Sequence, residues 1–153
     1  RKILISSLVL ASAFGSRSTA MNAVQDAQDQ LTKLIRCWEP IDSDDLSKGH
    51  TMSDPVYQLC SYMPSPKDYN KFHVNGVQMD SDDYTTILTM FANQLPGYAV
   101  LNVCLQEAFQ FHKANHPSQV SLRCLCQRDG CNLPKTLTDF LDFNKGPIPA
   151  VNF

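Results

Sequence analysis

Cys124, Cys126 and Cys131 fall within eight residues and are the densest group of reactive side chains in the chain. As thiolates, joined by a histidine, they could hold zinc in a reducing compartment. Oxidised, they would pair among themselves and with Cys37, Cys60 and Cys104 upstream. Two other groups invite metal readings. His112 and His116 are four apart, as two zinc ligands on a helix are. No Glu follows His112, however, and Pro117 follows His116. Asp80, Asp82 and Asp83 are close together, but a calcium loop needs alternating oxygen ligands, a distant closing acid and usually a central Gly. Turn histidines and helix-capping acids account for both groups. The sequence has no nucleophile elbow, phosphate-cradling Gly loop or catalytic Cys-His motif. The expectation is a non-enzymatic protein with no metal ligand, catalytic residue or cofactor assigned.

The N-terminus decides between thiolates and disulfides. Arg1 and Lys2 precede an apolar run from Ile3 to Phe14, and small residues follow, with candidate cleavage points after Ala13 and Ala20. That order is a signal peptide, expected over residues 1–20. Its loss would move the net charge from −2 to −5. No basic cluster then remains, so neither nucleic acid nor an anionic membrane is an expected partner. The expected localisation is extracellular, where six cysteines form a disulfide framework. Residues 21–143 suit one disulfide-rich domain, and the polar, proline-rich 144–153 reads as a C-terminal tail without a lipid anchor.

These cysteines need elements to position them. Val24, Ala27, Leu31, Leu34 and Ile35 recur at helical spacing, predicting a helix over 21–36. Tyr84, Ile87, Leu88, Phe91 and Leu95 predict another over 80–95, capped by Ser81 and ended by Pro96-Gly97. Val56 to Tyr62 is a strand candidate, and Asn75-Gly76 predicts a tight hairpin turn. Tyr98 to Cys126 reads as an antiparallel hairpin around the turn cluster Lys113–Ser118. If Cys104 faces Cys124, Ala108 faces Val120 and Phe111 faces Pro117. A competing reading makes Leu105 to Lys113 helical. Leu137, Phe140, Leu141 and Phe143 predict a short closing helix.

Cys126 and Cys131 enclose a turn pair, Asp129-Gly130, and could close a small loop. Cys104 with Cys124 would staple the hairpin, leaving Cys37 with Cys60. Six cysteines allow about 15 connectivities, so other pairings stay open.

The run Cys124-x-Cys126-x-x-Asp129-x-Cys131-Asn132 resembles the closing signature of Ly6/uPAR-type three-finger proteins. One residue between the first two cysteines resembles secreted nematode members of that superfamily. The resemblance covers Cys104 to Asn132. The chain has fewer cysteines, in a longer domain, than family members do. It implies a small, mainly β three-finger-like domain with added helices near 21–36 and 80–95; the alternative is an α+β disulfide-stapled domain. It also implies that Asn132 hydrogen-bonds backbone at the base of the fingers, as a structural cap, and that Cys104 to Cys124 is the third finger.

The expected function is secreted recognition, with braced loops presented to an extracellular protein or receptor. By resemblance the tips would lie near 113–118 and in 64–78. Tyr57, Tyr62, Tyr69, Phe72, Phe109 and Phe111 could supply aromatic anchors or core. The alternative is a carrier whose helical stripes line a cavity for a lipid or small apolar ligand.

Overall fold

The computed structural model describes residues 14–80, 84–93, 95–109 and 119–149, and side chains from Asn22 onward except Phe109 and Gln119. The apolar run read as a leader lies mostly outside the described residues, as do Ser81, Asp82, Asp83, Phe111, His112, His116 and the expected third tip.

Helix α1 spans Phe14–Gln30. Two short strands, β1 (Trp38–Pro40) and β2 (His50–Met52), form a first hairpin. A second hairpin pairs β3 (Cys60–Ser65) with β4 (Asp68–Gly76). Helix α2 (Thr85–Phe91) precedes a third hairpin, β5 (Asn102–Phe109) with β6 (Gln119–Cys126). Helix α3 (Leu137–Phe143) follows. β6 also pairs antiparallel with β3, giving a four-stranded sheet in the order β4-β3-β6-β5. The molecule is thus mainly β, with two antiparallel sheets, three disulfides and a few helices.

Alternation along the strands explains why the large sheet is covered on both faces. Cys60, Tyr62, Val74, Cys124 and Cys126 point to one face and pack with Ile35, Cys131, Phe140 and Ile148. Leu59 and Leu125 point to the other and pack with Val77, Tyr84, Ile87 and Phe91. The third hairpin has the expected register, with Cys104 opposite Cys124 and Ala108 opposite Val120. Leu105 to Phe109 is strand, not helix.

Other elements differ from expectation. The first helix ends at Gln30, because the chain then turns to bridge Ile35 with Tyr57. That buries Ile35 and leaves Leu34 exposed. The second helix shrinks to Thr85–Phe91. Its expected C-terminal turn is pulled into a Leu95–Tyr98 bridge around Pro96-Gly97, where Gly97 has a positive φ. The strand expected at Val56 starts only at Cys60.

Asn75-Gly76 is not a turn. Both residues lie inside β4, and the hairpin reverses instead between Ser65 and Asp68. Gly76 is needed for space: a Cβ there would lie 2.2 Å from the Tyr57 ring. Within the expected tail, Asn144 and Ile148 are buried, and residues 150–153 lie outside the described residues.

Candidate functional site

The feature that organises the molecule is the junction where the three hairpins meet. Disulfide Cys37–Cys60 ties the first hairpin to the second, and Cys126–Cys131 closes the loop after β6. Cys104–Cys124 crosses the third hairpin. All three sulfurs of the 124–131 cluster are bonded to sulfur, so thiolate ligation of zinc is closed to them.

Asn132 sits fully buried among these bridges. Its Oδ1 accepts from Trp38 N at 2.8 Å. Its Nδ2 donates to Trp38 O at 2.9 Å, Ser61 O at 3.1 Å and Asn75 O at 3.3 Å. One side chain therefore hydrogen-bonds backbone groups of β1, β3 and β4 and holds the three strands together. Gly130, at φ 69°, turns the loop so that its N–H donates to Arg36 O at 2.8 Å. The Asp129 carboxylate accepts from Arg36 N at 2.7 Å.

A second buried centre lies beside the first, and sequence reasoning missed it. Arg128 is only 1 % exposed. Its Nη1 donates to Asp26 Oδ2 at 2.9 Å and to Gly146 O at 2.8 Å. Its Nη2 donates to Asn144 O at 2.7 Å. Asp26 Oδ2 also accepts from Ile148 N at 3.1 Å. Burial pushes the Arg128 pKa down, opposed by the hydrogen bond and charge of Asp26. Asn144 extends the centre by donating to Cys131 O and Phe140 O, each at 2.9 Å. Arg128 thereby fastens α1 and the segment after α3 to the disulfide loop.

Rings form a column across the junction. Phe140 stacks on Tyr62 with centroids 4.4 Å apart, Tyr62 on Phe72 at 5.8 Å, and Phe72 meets His50 at 5.6 Å. Tyr62 donates to Lys135 O at 2.8 Å, and burial, then Asp139, pushes its pKa up to about 12. Tyr57 donates to Glu39, and that bond with burial raises its pKa to about 12. Of the aromatic anchors considered, Tyr62 is core, Phe72 packs against it, and Tyr69 is 59 % exposed.

Burial, then the neighbouring His73, lowers the His50 pKa below 6.5. The unfolded chain therefore binds that proton more readily, and stability rises with pH. Acidification through 6.5 and below is expected to weaken the contact between the first two hairpins. His50→Gln should flatten that part of a thermal-stability profile measured from pH 7.5 to 5; an unchanged slope would refute the assignment.

The three bridges also differ in access. Cys104 is exposed, whereas Cys37, Cys60, Cys126 and Cys131 are fully buried. Thiolate attack needs access to a sulfur. Limited reduction with alkylation should label Cys104 and Cys124 first; simultaneous labelling of all six would contradict this. Opening that bridge should cost about 2–4 kcal/mol.

Among the described residues, open clefts of about 320 Å³ beside Leu31, Leu34 and Leu88 and of about 560 Å³ beside Asp29, Leu34 and Pro149 border the segments of the carrier reading. The space between α1 and α2, bounded by Ala27, Leu31, Phe91 and Val100, holds about 10 Å³. A site for a small organic ligand occupies roughly 300–1,000 Å³. Tyr84, Ile87 and Phe91 pack a core instead.

Fold and junction together define a small β domain whose hairpins are braced by disulfides and by a buried Asn. The chain belongs to a family of unknown function, DUF5354, whose model matches residues 22–145. Uncharacterized protein C02B8.7 of Caenorhabditis elegans is 84% identical over 50 residues, covering 33% of this chain and 96% of that protein. No solved structure matches the chain.

Proposed function

We propose that this is a secreted, non-enzymatic recognition domain of three-finger type, presenting its hairpin tips to an extracellular protein. The observation that carries the reading is Asn132, which follows the last cysteine and hydrogen-bonds the first two hairpins at their base. Disulfides at that base favour an oxidising compartment. A braced frame leaves the tips little conformational freedom to lose on binding. Two tips carry exposed apolar groups, Ile41 and Leu46 on the first hairpin and Tyr69 on the second. Residues 113–118 would form the third.

The test is an interaction screen of the intact protein against cell-surface and secreted proteins. It would be repeated with Tyr69→Ala, with Ile41→Ala/Leu46→Ala, and with 113–118 replaced by Gly and Ser. Loss of a specific partner by a tip variant that keeps its fold supports the reading. Binding that survives all three replacements, or substrate turnover in an esterase and peptidase screen, overturns it.

A further inference from the structure

Cys104 and Cys124 stand directly opposite one another in the β5–β6 ladder, but their surroundings differ. β6 is an inner strand between β3 and β5, and Cys124 on it is fully buried opposite Tyr62. β5 is an edge strand, and Cys104 on it is exposed. In the other two bridges both cysteines are fully buried.

The sulfur of Cys104 also has a donor. The Asn102 side-chain amide, on the same strand face, donates to Cys104 Sγ at 3.7 Å. Such a bond strengthens as charge builds on sulfur, so it favours a thiolate at Cys104. The strand neighbours that share this face are Asn102, Gln106, Leu122 and Cys126. None is acidic, so an approaching thiolate meets no like charge from either strand. Glu107 lies on the other face, held by Arg123. Opening the bridge leaves the hairpin standing, because Asn102 to Phe109 stay laddered to β6 and Val103 and Leu105 stay packed on the α2 side.

We propose that Cys104–Cys124 is a thiol–disulfide exchange site, in which Cys104 meets an outside thiol or disulfide and Cys124 resolves the adduct. An incoming thiolate attacks Cys104 Sγ. The bond to Cys124 breaks as the mixed disulfide forms, and the electron pair leaves on Cys124 Sγ, where burial favours uptake of a proton. A second thiol attacks the outer sulfur, departs as a disulfide and frees Cys104. Two thiols are thus oxidised and the bridge is reduced. In the reverse direction Cys104 attacks an outside disulfide, and Cys124, already opposite, displaces the bound half and re-forms the bridge. The partner class is a small thiol or a protein dithiol, with their disulfides. Exchange here needs no contact with the hairpin tips and is independent of the recognition reading.

The test incubates the intact protein with reduced glutathione or, separately, with reduced thioredoxin, quenches with acid and maps the cysteines by mass spectrometry. The expected result is opening of Cys104–Cys124 alone, with glutathione on Cys104 and none on Cys124, while the circular dichroism of the domain persists. Reaction with glutathione alone assigns small thiols and reaction with thioredoxin alone assigns a protein dithiol; either supports the proposal. Asn102 is a positioning residue. Asn102→Ala should move the pH midpoint for alkylation of reduced Cys104 upward and slow the reaction about twofold at neutral pH. A bridge that resists both reductants, as structural disulfides do, overturns the proposal. So does glutathione on Cys124, simultaneous opening of all three bridges, or an alkylation profile that Asn102→Ala does not move.

Discussion

Asn132→Ala is expected to destabilise the domain by about 3–5 kcal/mol, since buried backbone groups lose their partners. For a chain of this size that is a fall in Tm of roughly 10 °C. The bonds lost run to Trp38 N–H and to the carbonyls of Trp38, Ser61 and Asn75 on three strands; the last two keep their places in the β3–β4 ladder, and the Trp38 groups are the ones orphaned. Asn132→Asp sharpens the test. It keeps the acceptor for Trp38 N–H but turns oxygen toward three carbonyls, which favours the protonated acid. That variant should lose stability as pH rises, whereas Asn132→Ala should not gain such a slope. Thermal unfolding of both variants at several pH values checks this; a loss below about 1 kcal/mol would remove Asn132 from the frame.

Arg128→Met should be of similar size, about 3–5 kcal/mol, because one partner of a buried ion pair is removed. It removes Arg128 from the carbonyls of Asn144 and Gly146 and leaves Asp26 with Ile148 N–H and the Gln30 side-chain amide. The effect should be local before it is global. Hydrogen exchange should rise first in α1 and in residues 144–149, while β3 and β6 stay protected by their ladder. Replacing Asp26 and Arg128 together by apolar residues should recover part of the loss, since the desolvation of the pair disappears with it. Uniform exchange across the whole chain would show that Arg128 does not fasten those segments separately.

The third hairpin was legible in the sequence because two independent signals agree on it. Alternation along Val120 to Cys126 sets the face, and a cysteine on each strand sets the register. The role of Asn132 followed from the resemblance and not from spacing. Asn75-Gly76 misled because a glycine has two uses, positive φ and lack of bulk, and only the fold tells them apart. The first helix was misplaced because Leu34 and Ile35 continue its periodicity after the chain has turned toward Tyr57. Arg128 gave no local signal. Asp26 lies 102 residues away, and its other partners lie in a segment whose prolines disguise a buried Ile148.

Because the disulfides and Asn132 fix each hairpin near its base, the two halves of the molecule can evolve at different rates. Lengthening a tip adds only loop entropy, about 0.6 kcal/mol for each doubling. A change at the base instead disturbs several strands at once. The frame therefore tolerates changes of reach and chemistry at the loop ends far better than changes at Cys37, Cys60, Cys126, Cys131 or Asn132.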